Sequence, residues 1–307
     1  MRRRVLIGTR GSLLSRRQTE LVRDRLAQHH PDRAFELVAI SSHGDRQPEA
    51  PLSAMAGEGI FVKELEAALQ RGDIDLAVHS LKDLPLSTPP ELAIGAVTAR
   101  EDARDALISR ERKTLAALAP GDRIGTSSPR RRSQLLCRRR DLVCEEIRGN
   151  VDTRLRKLEE GRYDAIVVAA CGLVRLGMEG RITERLEFDV MLPEPGQGSL
   201  GIEIRRDDGE MRELVRAVHD DVSAGCVEAE RAFLAALGGG CRVPIAAYAE
   251  SSDRGLLLRG AVIALDGSKK LEDRLTGSLD DPGALGKELA ERLLAQGANT
   301  VLTMIGQ

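Results

Sequence analysis

One cysteine in a glycine-rich loop has the setting to carry a covalent group. Cys241 follows three glycines, at positions 238–240, and precedes Arg242, Val243 and Pro244. The glycines remove side-chain bulk beside the sulfur and allow positive φ angles, so the thiol can project from a tight turn. On the loop alone, a buried and unreactive cysteine is the favoured interpretation, because free cysteines are usually buried. The choice between the two depends on the rest of the chain.

Basic residues cluster where two helices are predicted to begin, one opened by the N-cap Ser128 and one by the N-cap Asn150. The residues of interest at these two starts are Ser128, Arg130, Arg131, Arg148, Gly149, Asn150 and Arg154. Free N–H groups and the helix dipole favour anions at a helix start, and guanidinium groups bind carboxylates in bidentate fashion. The pattern predicts a site for several carboxylates or phosphates. For Arg138, Arg139 and Arg140 we favour an exposed basic face instead.

A charged pair, Lys82 and Asp83, follows His79 and Ser80 at the end of a strand that is predicted to be buried. A surface ion pair and a functional carboxylate fit this pattern equally well. In the second case Asp83 could act as general acid or base, or as counter-ion to a cationic intermediate. The sequence shows no serine triad, phosphate-binding P-loop or metal-ligand cluster, and its five histidines are scattered.

The elements that must position these residues form two similar series of strands and helices. In the first series we predict strands at 5–7, 35–40 and 73–78 and helices at 13–29, capped by Ser12, and 60–71. In the second we predict strands at 123–124, 142–147 and 164–169 and helices at 129–140 and 151–160. Residues 41–59 have no clear period and form a long loop, which is typical of functional or mobile segments.

The two series match each other in sequence as well as in order. Ile7-Gly8-Thr9-Arg10 corresponds to Ile124-Gly125-Thr126-Ser127. The repeat predicts two similar α/β domains with mostly parallel sheets. Ligands of such sheets bind beyond the carboxyl ends of the strands, near helix N-termini. The residues expected there are Arg10, Ser12, Lys82, Asp83, Thr126, Ser127 and Ser128.

The remaining third of the chain predicts a hinge and a small α+β domain. Residues 192–198 form the hinge, followed by a strand at 200–204 and helices at 209–219 and 223–237. Strands are then predicted at 245–250, 256–265 and 271–277, and a last helix at 283–296. We therefore expect domain 1 at 1–98 and 199–217, domain 2 at 99–198, and domain 3, which carries Cys241, at 218–307.

Composition excludes several classes of function. The net charge is −2 and aromatic residues make up 2% of the chain, which disfavours a nucleic-acid binder. The five cysteines are an odd number without a Cys-x-x-Cys pair, so neither a disulfide framework nor a zinc site is predicted. No signal peptide and no stretch of membrane-spanning length is evident. We expect a reduced, cytoplasmic protein without a bound metal.

Several longer motifs, spread over essentially the whole chain in one order, resemble those of the porphobilinogen deaminases, also called hydroxymethylbilane synthases. They are Gly8-Thr9-Arg10-Gly11-Ser12, Gly59-Ile60-Phe61-Val62-Lys63-Glu64-Leu65-Glu66, Ala77-Val78-His79-Ser80-Leu81-Lys82-Asp83, Gly125-Thr126-Ser127-Ser128 with Arg130-Arg131, Arg148-Gly149-Asn150-Val151, Pro195-Gly196-Gln197-Gly198 and Gly239-Gly240-Cys241. The resemblance implies a three-domain fold whose first two domains are similar to type II periplasmic binding proteins.

The resemblance also implies an activity. Four porphobilinogen molecules would be condensed head to tail into hydroxymethylbilane, with loss of ammonia at each step. A dipyrromethane cofactor would be held by a thioether to Cys241, and Asp83 would assist protonation and deamination and stabilise positive charge on the pyrrole. We also expect a monomer that passes its product to the next enzyme of the pathway.

By the same resemblance, a set of polar residues would hold the carboxylates of cofactor and substrate. The main candidates are Arg10, Ser12, Lys82, Ser127, Ser128, Arg130, Arg131, Arg148 and Arg154, and the weaker ones are Gln18, Ser80, Thr126, Gly149, Asn150 and Gln197. A lid at 42–58 is expected to be mobile.

The chain departs from the family pattern at three positions. Ala54 and Glu58 stand where bacterial relatives commonly have lysines, which argues against a direct carboxylate contact from the lid. Arg242 stands where glutamine is common, beside the predicted tether. The rival hypothesis is a non-catalytic protein that binds a small anion between two domains. It explains the repeat and the arginines, but neither Cys241 in its glycine loop nor the third domain.

Overall fold

The computed structural model describes residues 4–41, 62–239, 243–252 and 255–303. Cys241 and the three departures from the family pattern, at positions 54, 58 and 242, lie outside these ranges. The chain divides into two compact units, Met1–Glu101 with Gly198–Ala224, and Asp102–Gln197 with Gly225–Gln307.

The first unit is built on a five-stranded mixed sheet. Its strands are β1 (Arg4–Arg10), β2 (Ala34–Ile40), β3 (Leu76–Ser80), β4 (Leu92–Val97) and β10 (Leu200–Arg205), and its helices are α1 (Leu13–His29), α2 (Lys63–Arg71) and α6 (Gly209–Arg216). The strand order is β2-β1-β3-β10-β4. β1 pairs in parallel with β2 and β3, whereas β10 runs antiparallel to β3 and β4.

Helices cover both faces of this sheet. α1 begins at its cap, where the Ser15 N–H donates to Ser12 Oγ at 3.2 Å, and buries Val22 and Leu26 in the same cluster as β1 and β3 residues. α2 packs into a separate cluster together with Ile74. A Cβ on Gly8 would lie 2.3 Å from Ile74 Cδ1, so β1 needs glycine here for close packing.

The second unit repeats the same sheet. Its strands are β5 (Asp105–Ser109), β6 (Arg123–Gly125), β7 (Val143–Glu145), β8 (Ala165–Ala169) and β9 (Glu184–Leu186), and its helices beside them are α3 (Pro129–Arg138), α4 (Val151–Glu159) and α5 (Ala170–Arg175). The order β7-β6-β8-β5-β9 is the counterpart of the first sheet, with β5 in the place of β10. β6 pairs in parallel with β7 and β8, and β5 is antiparallel to β8 and β9.

The second unit also contains an antiparallel sheet packed on helices. Its elements are β11 (Ile245–Ser252), β12 (Gly255–Ile263), β13 (Lys270–Gly277), α7 (Asp221–Ala236), of which residues from Gly225 belong here, α8 (Pro282–Ala295) and α9 (Ala298–Thr303). Phe233 lies at the centre of its core and is fully buried. Phe188 stacks on Tyr248 at 4.0 Å between ring centroids, and Ala247 N–H donates to Pro193 O, so this sheet packs against the end of the preceding segment.

The predicted fold class is confirmed. Two α/β sheets share one strand order, and a small α+β portion follows. The boundaries between three domains stay a prediction.

The expectation of mostly parallel sheets is wrong, because each five-stranded sheet has two parallel and two antiparallel pairings. Three strands, β4, β5 and β9, were not predicted from the sequence. Two of these, β4 and β9, are edge strands, and β5 is the inserted antiparallel strand.

Two predicted elements of the second unit are longer than the observed ones. The helix expected at 129–140 ends at Arg138, because Arg139 leaves helical geometry and its guanidinium donates to the carbonyls of Leu115 and Leu118, both at 2.8 Å. The strand expected at 142–147 is only β7, because its partner β6 is itself three residues long.

We expect Gly286→Ala to destabilise the protein by about 1–3 kcal/mol, the usual cost of overpacking. A Cβ there would lie 2.3 Å from Ala229 O and 2.7 Å from Phe233 N, both on the backbone of α7. Gly283→Ala on the same helix is the control, since its nearest neighbour is a side-chain oxygen of Glu228 at 3.4 Å. Urea unfolding measures both variants, and equal stability of the two would contradict the packing of α8 on α7.

Candidate functional site

Six of the predicted residues gather at one edge of the first unit's sheet. Because β1 and β3 are parallel neighbours, Arg10 and Ser80, their last residues, lie at the same edge. Ser12 begins α1 there, and Lys82 and Asp83 lie in a short 3₁₀ helix, Leu81–Asp83, directly after β3. Asp83 is exposed at this edge.

Gln18 joins two of these elements rather than lying open. Its side chain is buried, and Nε2 donates to Ser80 Oγ at 2.9 Å. The bond ties α1 to the end of β3, three residues before Asp83. The predicted role of Gln18 in ligand binding stays a prediction, and its observed contact supports the shape of the edge.

A buried ionisable cluster lies next to this edge. His79 Nε2 is 3.2 Å from Glu203 Oε2, and both side chains are almost fully buried. Glu66 on α2 lies near them. Burial raises the pKa of Glu66 above its ordinary value, the neighbouring Glu203 raises the pKa further, and His79 and Lys63 partly oppose the shift.

The second unit's sheet carries the equivalent edge. Thr126, Ser127 and Ser128 follow β6 directly, and β6 is parallel to β7 and β8. Ser127 Oγ donates to Ile147 O at 2.7 Å and accepts from Ile147 N–H at 3.1 Å, which joins the ends of β6 and β7. Ser128 is the N-cap of α3, as predicted: its hydroxyl accepts from Arg131 N–H at 3.4 Å.

The start of α4 completes this edge. Gly149 has φ +104°, and a Cβ there would lie 2.6 Å from Thr153 Cγ2, so glycine is needed at this turn. Arg154 Nε donates to Gly149 O at 2.8 Å, and the buried Nε of Arg148 has no hydrogen-bond partner among the described residues. Asn150 occupies the N-cap position, as predicted, but its side chain makes no capping hydrogen bond.

Arg130 and Arg131 are buried at the same edge. Each guanidinium contacts a different oxygen of the Asp105 carboxylate. Arg130 Nη1 lies 2.8 Å from Asp105 Oδ2, and Arg131 donates to Asp105 Oδ1 from Nη2 at 2.8 Å and from Nε at 3.1 Å. Asp105 is 0% exposed, Arg130 2% and Arg131 6%. Burial by itself would raise the pKa of Asp105, but the two guanidiniums hold it well below its usual range.

The arginine pair carries more positive charge than its carboxylate neutralises. Two guanidiniums share one aspartate, and the half-buried Glu194 acts on Arg131 only through its electric field. Arg130 Nε and Nη2 are buried donors without a hydrogen-bond partner among the described residues. Since buried donors are normally satisfied, the pair fits a ligand that brings carboxylates.

Gln197 belongs to the same network. Its side chain is 1% exposed, and Nε2 donates to Ala103 O at 2.7 Å and to Asp105 Oδ1 at 3.0 Å. These bonds lie within the protein, next to the arginine pair. A direct ligand contact of Gln197 stays a prediction.

Asp105 and Arg175 were not predicted from the sequence. Asp105 lies in a run of mixed charges at 101–105, which is typical of exposed loops, and only the unpredicted strand β5 places it beside α3. Arg175 is buried as the last residue of α5, so the rule that drew attention to basic residues at the starts of α3 and α4 does not apply to it. Of the three arginines assigned to an exposed face, Arg138 and Arg140 are exposed, but Arg139 binds the backbone carbonyls described above.

Other possible sites are not connected with these edges. A surface groove of about 420 Å³ is lined by residues of α4 and of the segment 177–181, none of them among the predicted site residues. Within the described ranges there is no cluster of three metal-ligating side chains, and no helix combines the length and apolarity needed to cross a membrane.

Comparison with known proteins agrees with the motifs. A family model described as the dipyromethane cofactor-binding domain of porphobilinogen deaminase matches residues 5–213, and one for the C-terminal domain of the same enzyme matches residues 224–295. The porphobilinogen deaminase of Roseiflexus sp. (strain RS-1) is 48% identical, over 98% of this chain and 99% of its own.

Two more relatives show the same extent of similarity. The porphobilinogen deaminase of Thiobacillus denitrificans is 46% identical, over 96% of this chain and 97% of its own, and that of Acidithiobacillus ferrooxidans is 49% identical, over 96% of each. Among solved structures, the methionine-binding protein MetQ aligns with 73% of this chain and 94% of its own, at 16% identity and a TM-score of 0.46. So distant a likeness says nothing about ligands.

We expect Glu66→Gln to stabilise the protein at pH 7. The folded-state pKa of Glu66 is raised, so the stability that its neutral form provides is present below the unfolded pKa and is lost as pH rises through the folded pKa. Glutamine cannot ionise, so its advantage should shrink as pH falls toward about 4, where the glutamate of the wild type is protonated as well.

Urea midpoints at pH 7 and pH 4.5 measure this effect. Glu213→Gln, at an exposed position on α6, is the control and should show no such pH dependence. A stability difference for Glu66→Gln that is the same at both pH values would show that ionisation of Glu66 is not the cause.

Proposed function

This chain belongs to the porphobilinogen deaminase family and is a transferase of tetrapyrrole biosynthesis, and we propose that it joins four porphobilinogen molecules head to tail into hydroxymethylbilane. One ammonia leaves at each addition. The observation that supports this reaction most is the pair of buried guanidiniums on one carboxylate at the edge of the second sheet. Porphobilinogen carries two carboxylates, so the growing chain is a polyanion that such a site attracts.

The family's dipyrromethane cofactor fits the same residues, because its carboxylates would supply acceptors for the unsatisfied donors of Arg130. When bound, the cofactor supplies the pyrrole ring to which substrate is added. We propose that Cys241 holds it through a thioether. In the second unit the residues that would bind or frame the carboxylates are Thr126, Ser127, Ser128, Arg130, Arg131, Arg148, Gly149, Asn150 and Arg154. Gln197 would support the arginines among them through Asp105. In the first unit the corresponding set is Arg10, Ser12, Gln18, Ser80 and Lys82.

Asp83 has the position for the proton and charge chemistry. It is an exposed carboxylate at the end of β3, with Lys82 beside it and Arg10 at the same edge. There it would accept hydrogen bonds from pyrrole N–H groups, hold the proton that the departing amine takes, and stabilise the positive charge that remains.

Further properties belong to the same proposal. We infer a cytoplasmic monomer that binds neither nucleic acid nor membrane and passes its product to the next enzyme of the pathway. An even charge balance and the scarcity of aromatic residues support the absence of nucleic-acid binding. The rival, a binding protein without catalysis, accounts for neither the C-terminal domain nor the cysteine loop.

Asp83→Asn should lower kcat about 10²–10⁴-fold with an unchanged fold, because the amide keeps the shape of the side chain but removes its charge and proton-transfer capacity. Steady-state turnover of porphobilinogen and thermal unfolding measure the two effects. Asp73→Asn, at an exposed aspartate paired with Arg71 in the same unit, is the matched control and should turn over normally. Turnover of Asp83→Asn within about twofold of wild type would remove Asp83 from the mechanism.

Cys241→Ala should prevent attachment of the cofactor, because no other group is proposed to form the thioether. Intact mass before and after incubation with porphobilinogen measures the adduct. Cys137→Ala replaces a half-buried cysteine elsewhere and should acquire the adduct as wild type does. The same adduct on Cys241→Ala would place the tether on another residue.

A further inference from the structure

The arginine pair depends on how one carboxylate is held. Asp105 is the first residue of β5 and pairs with Ala169, the last residue of β8, so it lies at the edge where the site residues gather. Each of its oxygens contacts a different guanidinium. The backbone also holds each guanidinium: Arg130 Nη1 donates to Leu192 O at 2.7 Å and Arg131 Nη1 to Val167 O at 3.1 Å. Because the two carboxylate oxygens lie in one rigid plane, the orientation of that plane contributes to the spacing and tilt of Arg130 relative to Arg131.

Gln197 fixes the direction of that plane without changing its charge. Both hydrogens of its amide are used, one on Ala103 O and one on Asp105 Oδ1. A neutral donor here leaves the excess positive charge of the arginine pair intact, whereas a cation would add to it.

The loop that carries Gln197 is itself anchored from the C-terminal portion. Glu230 on α7 accepts from Gly196 N–H through Oε2 and from Ala249 N–H through Oε1, both at 2.7 Å. A buried glutamate with two backbone donors holds the residue before Gln197 in place. Hydrogen bonds and ion pairs, together with the peptide bond from Gly196 to Gln197, therefore connect β11 with the arginine pair.

Stability alone does not account for this arrangement. Burying three charged side chains costs more desolvation than their mutual attraction usually returns, and apolar residues of the same volume would often be as stable or more stable. Two cations and one anion leave a net charge buried, so desolvation exceeds the mutual attraction by more than it does in a simple ion pair. A buried network of this kind at the edge of a ligand-binding sheet indicates a functional constraint.

We propose that Asp105 and Gln197 are positioning residues for the acidic ligands of this enzyme. They touch neither cofactor nor substrate, and they hold Arg130 and Arg131 at the spacing that captures carboxylates. This inference rests on the proposed function, in which those two arginines bind cofactor and substrate.

The test follows cofactor acquisition by full-length protein produced without cofactor, in cells unable to make porphobilinogen. Wild type, Asp105→Asn and Gln197→Met are incubated with a range of porphobilinogen concentrations. Intact mass records the gain of two linked pyrrole units over time. Circular dichroism establishes that each protein is folded at the temperature used. Asp141→Asn, which breaks the exposed pair of Asp141 with Arg139 at the end of α3, is the matched control.

The positioning role predicts that the half-saturating porphobilinogen concentration changes while the fraction of protein that finally becomes loaded does not. In Asp105→Asn the porphobilinogen concentration for half-maximal rate should rise at least about tenfold, while most of the protein still becomes loaded. In Gln197→Met, which keeps all three charges, it should rise about three- to tenfold. Asp141→Asn should match wild type. A merely structural role would reduce the loaded fraction and leave the half-saturating concentration unchanged.

Each outcome decides between the alternatives. An unchanged half-saturating concentration in folded Asp105→Asn overturns the inference. If Asp105→Asn does not fold, Gln197→Met decides, and wild-type behaviour there overturns the inference as well. Failure of wild type itself to gain any adduct would contradict the proposed function instead, so the two failures are distinguishable.

Discussion

A buried carboxylate between two guanidiniums is the interaction on which the second unit depends. Asp105 is fully buried and stays ionised only because Arg130 and Arg131 contact its two oxygens. The geometry requires an antiparallel strand, β5, to bring an aspartate at its first residue to the edge where the parallel strands end. It also requires Ser128 to start α3 at a defined point, so that the next two arginines turn inward.

The two units contribute different chemistry from the same architecture. In the first, Asp83 is exposed directly after β3, and Gln18 holds that segment through Ser80. In the second, guanidinium groups lie at the helix starts. The duplicated sheet offers the same edge twice, and in the proposed function the side chains at each edge determine whether it transfers a proton or binds carboxylates.

Helix caps and hydrophobic periodicity correctly predicted the helices that carry a clear cap residue or apolar stripe in their own sequence. α1 begins and ends at the predicted residues, because Ser12 is a good cap and an apolar stripe runs along the helix. Ser128 likewise caps α3. Short strands were missed, because three to six residues at a sheet edge or in an inserted position have no period of their own. Their pairing, which comes from distant parts of the chain, stabilises them instead.

The site shows the same limit. The arginines could be found from their spacing at helix starts, because that spacing follows from local structure. Their burial against Asp105 could not, since it depends on a contact between residues 26 positions apart that only the sheet brings together. At Asn150 the N-cap position follows from the residue type, yet in the folded chain its side chain makes no capping hydrogen bond.

The most direct test of the account is a crystal structure of the cofactor-loaded protein. The account predicts continuous density from Cys241 Sγ to a dipyrromethane, whose carboxylates lie about 3 Å from nitrogens of Arg130 or Arg131 that do not contact Asp105. Asp105 and Gln197 should keep their present bonds and lie outside contact distance of the cofactor. Cofactor carboxylates bound elsewhere, with the arginine pair still closed on Asp105 alone, would contradict the central role given to this pair.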